Sequence, residues 1–134
     1  MRVKGSQTEA PLVAIVDDDA SVRRSSRRLI RALGYRAEAF GSAEEFLHSG
    51  EVKNAACLIL DVRMPRMDGL ELQRRLAGSA IPIVFITGRA SEEEERRALR
   101  AGAVAFLRKP VDKQALLRVL GAVLETSESE GGRP

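Results

Sequence analysis

Hydrophobic positions fall into five short runs: Leu12–Val16, Arg36–Phe40, Ala56–Leu60, Pro82–Ile86 and Ala103–Leu107. Their length and their β-branched or aromatic content predict strands. Arg36–Phe40 alternates polar with apolar residues and suits an edge. Leu12–Val16 and Ala56–Leu60 are apolar throughout and suit the middle of a sheet covered on both sides. Helical patterns separate the runs. The first, about Ala20 to Leu33, sets Val22, Leu29, Ile30 and Leu33 near one face, with Gly34 as a stop and arginine and serine on the other side. Ser42-Ala43-Glu44-Glu45 and Ser91-Glu92-Glu93-Glu94 each predict a capped helix start. A third helix is expected from about Gly69 to Ala77. A last one, near Asp112 to Leu124, carries Leu116, Leu117, Val119, Leu120 and Val123 as a broad apolar face.

Strict strand–helix alternation implies parallel strands joined by right-handed crossovers, with helices on both faces. The expected fold class is α/β: a doubly wound five-stranded parallel sheet of order 2-1-3-4-5. In such a sheet ligands bind outside the carboxyl ends of the central strands, where the winding direction reverses. Length supports one domain. The 134 residues divide into an N-terminal segment at 1–10 expected to be flexible, a folded unit at 11–124 and a polar tail or linker start at 125–134. A composition 44% hydrophobic and 31% charged is that of a globular chain. Cys57, the single cysteine, lies in an apolar run and is expected to be a buried, inert thiol. No apolar stretch approaches the ~18 residues of a membrane span, and the first residues lack a signal core, so a cytoplasmic protein without membrane contact is expected. The net charge of +3 decides nothing about partners.

The residues that follow the strands carry the chemistry. After strand one come Asp17, Asp18 and Asp19; after strand three, Asp61; after strand four, Thr87 and Gly88; after strand five, Lys109 and Pro110. Crowded carboxylates repel one another unless a cation is present, and Mg²⁺ suits a shell of carboxylates, water and phosphate. Asp61 can attack a phosphoryl group, while Lys109 and Thr87 can meet its oxygens. Asp19 reads as a helix cap, Asp68-Gly69 as a turn, and His48 as a surface residue without a role.

Val16-Asp17-Asp18-Asp19, Leu60-Asp61-Val62-Arg63-Met64-Pro65 with Met67-Asp68-Gly69, Ile86-Thr87-Gly88 and Lys109-Pro110 resemble the response-regulator receiver pattern over roughly Pro11 to Leu124. The wording is similar in detail to receivers of FixJ-type transcriptional regulators, which have the flavodoxin-like (βα)5 fold. The resemblance implies a two-component switch, not a turnover enzyme, phosphorylated on Asp61 by a sensor histidine kinase. It implies Mg²⁺ held by Asp17, Asp18, Asp61 and the backbone carbonyl of Arg63, with Thr87 and Lys109 reading the phosphoryl group. Thr87 and Phe106 would form the switch, although Phe106 also reads as core filling. Lys109-Pro110 would be a cis peptide. Phosphorylation is expected to drive homodimerisation through the fourth helix, fifth strand and fifth helix and to control a DNA-binding output. In that interface Glu92, Glu93, Glu94 and Glu95 would meet Arg108, Lys113 and Arg118 of a second copy, with Ala98, Leu99 and Ala101 as a thin apolar stripe under the fourth helix.

The arginines of the first helix, Arg23, Arg24, Arg27, Arg28 and Arg31, are expected to face solvent or the kinase. No direct nucleic-acid binding by this domain is expected, because no helix-turn-helix remains once the five strand–helix pairs are assigned. A haloacid-dehalogenase-type phosphatase would need an acid two residues after its nucleophile, where this chain has Arg63. A dinucleotide-binding turn would be glycine-rich where this chain has three aspartates.

Overall fold

The computed structural model describes residues 10–125, and the expectations for 1–9 and 126–134 lie outside them. Five strands, β1 (Leu12–Val16), β2 (Arg36–Phe40), β3 (Ala55–Leu60), β4 (Ile83–Thr87) and β5 (Ala105–Arg108), form one parallel sheet in the order β2-β1-β3-β4-β5. The helices are α1 (Ala20–Ala32), α2 (Ala43–Ser49), α3 (Gly69–Arg75), α4 (Glu92–Arg100) and α5 (Lys113–Leu120).

The two-residue period of the strands divides the core. Leu12, Ala14, Val16, Leu58, Leu60 and Phe85 pack on one side with Phe46 of α2, Leu70 and Leu72 of α3 and Ala98 of α4. Val13, Ile15, Cys57, Ile59, Val84 and Ile86 pack on the other with Ile30 of α1 and Leu116 and Leu120 of α5. β1 and β4 are buried along their whole length, whereas β2 alternates buried and exposed positions and lies at the edge, as its sequence predicts.

Element boundaries differ from expectation where backbone hydrogen bonds decide them. Pro82 has no N–H and stays outside β4, although its carbonyl accepts from Leu58 at 2.9 Å. β5 starts at Ala105, not Ala103, because Ala103 is committed to the end of α4. Its N–H donates to Ala98 O at 3.0 Å, and that of Gly102 to Leu99 O at 3.0 Å, closing the helix through a left-handed Gly102 (φ 107°). Gly34 (φ 99°) ends α1 in the same way, with Tyr35 N–H on Ile30 O. α3 stops at Arg75, two residues short of Ala77, because the Leu76 N–H already divides between Leu72 and Gln73 carbonyls. The last helix ends at Leu120 and widens into a single π turn, Gly121–Glu125, which lays Leu124 on the core.

Two surface expectations are corrected. Leu99 and Ala101 do not form an apolar seam under α4: Ala98 is its one buried residue, and Leu99 is 43% exposed. Nor is the arginine face of α1 wholly solvated, since Arg23 donates to Asp17 O at 2.8 Å and Arg31 to Ala37 O at 3.1 Å. Among the described residues, no helix is long and apolar enough to cross a membrane.

Burial pushes the Cys57 thiol from its ordinary 9.0 up to about 12. In the unfolded chain the thiol ionises first. The stability contributed by keeping it neutral is therefore whole below pH 9 and is lost as pH rises toward 12. Titration with Ellman's reagent at pH 8 should find no reactive thiol in the folded protein and one after denaturation. A fast reaction without denaturant would contradict this burial.

Candidate functional site

Register brings the strand ends together. Val16 pairs with Leu60, so Asp17 and Asp61 emerge side by side from β1 and β3. Thr87 pairs with Arg108, and the Lys109 N–H donates to Thr87 O at 2.9 Å, which sets Lys109 beside the end of β4. These residues, with Asp18, Asp19, Arg63, Gly88 and Arg89, line a crevice of about 200 Å³. A larger apolar cavity of about 510 Å³ between α1 and α5 has none of the acids in its walls.

Asp17 is 4% exposed and Asp61 7%, whereas Asp18 is open to solvent. The Lys109 ammonium donates to Asp17 Oδ2 at 2.9 Å and to Asp61 Oδ2 at 3.3 Å. The other Asp17 oxygen accepts from the Asp19 N–H at 2.9 Å, and Asp61 Oδ1 from the Arg63 N–H at 3.4 Å. Burial raises Asp17 above the ordinary carboxylate value, opposed by the Asp19 N–H and Lys109 and reinforced by the charge of Asp61. Burial also works against the Lys109 charge, but the bond to Asp17 and the two acids outweigh it and hold Lys109 above its ordinary value. The ammonium faces two carboxylates, and Asp17 shares it with Asp61. Oxygens of Asp17, Asp18 and Asp61 lie within 4.8 Å of one another, so one lysine leaves the cluster net negative. An all-oxygen donor set of this charge fits a hard divalent cation.

Thr87 is fully buried, and its hydroxyl faces the following turn, donating to Arg89 O at 3.2 Å and accepting from the Arg89 N–H at 3.3 Å. Phe106 is half-buried, outside the crevice wall, 5.7 Å from the Phe85 ring. The Arg108 guanidinium covers it at 5.4 Å and is bound to Glu95 at 2.9 Å and Ala90 O at 2.8 Å. Arg108 is thus paired within its own chain, with its side chain 44% exposed. Lys109-Pro110 is cis, Asp19 caps α1, Asp68 caps α3, and His48 is exposed.

Sequence reasoning missed three supports. Arg23 of α1 holds the Asp17 carbonyl and passes 3.2 Å from where a Gly41 side chain would begin. Arginine at one position gave no sign of folding back on the preceding loop. Glu94 pairs with Arg63 at 2.7 Å. Its carboxyl is held below the usual range, first by the Ser91 N–H and then by Arg63. Gly69 does more than make a turn, because a Cβ there would stand 2.2 Å from the Asp61 carbonyl oxygen. The Asp-Gly pair was visible in the sequence; the backbone it abuts was not.

A parallel sheet wound 2-1-3-4-5, with acids and a lysine at its carboxyl edge, defines a receiver-type signalling switch. The chain belongs to the response regulator receiver domain family, whose model matches residues 13–121. It is 44% identical over 129 residues to Nodulation protein W of Bradyrhizobium diazoefficiens, covering 92% of this chain and 57% of that protein. It is 40% identical over 123 residues to the response regulator protein TodT of Pseudomonas putida, covering 90% and 54%. The chain thus spans little more than half the length of these relatives. Among solved structures, the response regulator StyR matches with a TM-score of 0.80 and 42% identity, covering 90% of this chain and 62% of that one. FixJ-N matches with a TM-score of 0.78 and 34% identity, covering 88% and 96%. The FixJ-type resemblance and the flavodoxin-like fold expected from the sequence are thereby borne out. Receiver domains are signalling switches rather than classical enzymes; they are phosphorylated by histidine kinases and typically bind Mg²⁺ through an acidic cluster of this kind.

The close approach at Gly69 has a direct test. Gly69→Ala forces α3 away from the Asp61 carbonyl and should destabilise the domain by about 1–3 kcal/mol, the usual range for overpacking, in urea unfolding. Unchanged stability would mean that the contact is easily relieved.

Proposed function

We propose that Asp61 accepts a phosphoryl group from a histidine kinase, and that the resulting change in this domain controls dimerisation and, through a longer regulator, transcription. The observation that carries the reading is the Lys109 ammonium shared by two buried aspartates beside a third, exposed one. An Asp61 oxygen attacks phosphorus, the bond from phosphorus to the kinase imidazole nitrogen breaks, and the imidazole keeps the electron pair. Asp17, Asp18, Asp61 and the Arg63 backbone carbonyl would hold Mg²⁺, which when bound would neutralise the phosphoryl oxygens. Lys109 exchanges its bond to Asp61 for one to phosphoryl oxygen, and the Thr87 hydroxyl leaves Arg89 O for the same group. Phe106 follows into the space that Thr87 vacates.

The kinase docks on α1, through Arg24 and Arg28 and the apolar groove of Val22, Leu29, Val111 and Leu116, which Lys109 also lines. For the dimer, the exposed large hydrophobics among the described residues are Leu99 on α4, Val104 before β5 and Leu117 on α5. Leu99 and Leu117 belong to helices expected at the interface and Val104 directly precedes its strand, while Lys113 and Arg118 supply bases beside Arg108.

Acetyl phosphate with Mg²⁺ should add one phosphoryl group by intact-mass analysis, and Asp61→Asn, Asp18→Ala or EDTA should each reduce the gain to background. A hydroxylamine-sensitive phosphoryl group on Asp61→Asn would refute the assignment. Sedimentation of the beryllofluoride-activated protein should show dimers that weaken with salt and with Arg118→Glu. Activated protein that stays monomeric, or dimers indifferent to both changes, would remove the interface while leaving the phosphorylation site untouched.

A further inference from the structure

Arg63 faces two sites at once. Its N–H is 3.4 Å from Asp61 Oδ1 and the residue lines the acidic crevice, yet its guanidinium donates at 2.7 Å to Glu94 Oε1 in the first turn of α4. That same Glu94 oxygen accepts the Ser91 N–H at 2.9 Å, so the partner of Arg63 is the capping carboxylate of α4. This helix is thinly held. Beyond Ala98, its described ties are the Gln73 amide on Ala98 O at 2.9 Å, the Glu95–Arg108 pair and the Arg63–Glu94 pair.

The Arg63–Glu94 pair is easily exchanged, because the arginine side chain is 47% exposed and water screens it. A phosphoryl group carries more charge than a carboxylate and matches the guanidinium fork with two oxygens. We propose that Arg63 is an anion-binding arm which Glu94 holds at the rim of the crevice, and which passes from Glu94 to the phosphoryl oxygens when Asp61 is modified. The inference rests on the reading of Asp61 as phosphoacceptor. Glu94 is then a positioning residue: it competes with the incoming anion for one guanidinium. By reciprocity, an anion in the crevice loosens the tie between the loop after Asp61 and the first turn of α4.

Glu94→Gln separates this role from that of the helix cap, since glutamine also serves at the third position of a capping box. In the full chain with Mg²⁺, the half-saturating concentration of acetyl phosphate should fall about two- to five-fold in Glu94→Gln, with the maximal rate changing less. In Arg63→Gln it should rise, and adding Glu94→Gln to that variant should change nothing further. Arg63→Lys, which keeps the charge and loses the fork, should fall between. An unchanged half-saturation in folded Glu94→Gln overturns the inference. So does an equal improvement with and without Arg63, which would make Glu94 a source of through-space repulsion only. Either result with Asp61 still phosphorylated leaves the phosphoacceptor reading intact, whereas wild-type protein that gains no phosphoryl group at Asp61 overturns both.

Discussion

The arrangement depends on one ammonium shared by two buried acids. Asp17 and Asp61 leave adjacent central strands in register, so their carboxylates are pressed together where water is scarce. Lys109 arrives from β5, beyond β4, and reaches across to both. One positive charge cannot satisfy three carboxylates, and the site keeps an unmet demand for cationic charge. Supports from three directions fix the geometry of the acids: Arg23 on the Asp17 carbonyl, the Phe40 carbonyl on the Asp17 N–H, and the Val16 carbonyl on the Asp61 N–H.

The two faces of the sheet are held differently, and the difference bears on switching. α1 and α5 bury Ile30, Leu116 and Leu120 against the central strands. α3 is locked close to Asp61, since nothing larger than Gly69 fits against the Asp61 carbonyl. α4 buries one alanine and is otherwise tied by a buried amide and two ion pairs, one of them to the loop after the phosphoacceptor candidate and the other to β5. Polar ties of this kind answer to a nearby change of charge, whereas an apolar core does not. Phe106 lies between the regimes, packed on Phe85 on one side and covered by Arg108 on the other.

Much of this was legible along the chain. Apolar runs of five residues, alternating with amphipathic helices, determined the layer order and the sheet, because burial on two faces leaves a continuous apolar signature. The acids, threonine and lysine could be assigned to one crevice because all of them follow strands in a parallel sheet. Boundaries slipped where the deciding bond was not a matter of hydrophobicity, as at Ala103, whose N–H closes α4 instead of opening β5.

What only the tertiary structure decided is the partner of each charge. Sequence spacing offers Arg63, Arg108 and four glutamates on α4 as an undifferentiated charged surface. The folded chain commits Arg63 to Glu94, Arg108 to Glu95, and Arg23 to a backbone carbonyl. Periodicity records which side of an element is buried, and the amino-acid sequence by itself determined that much, together with the family and the crevice. Long side chains choose among partners that are 31, 13 or 6 residues away, and those choices exist only once the sheet order has brought the loops together.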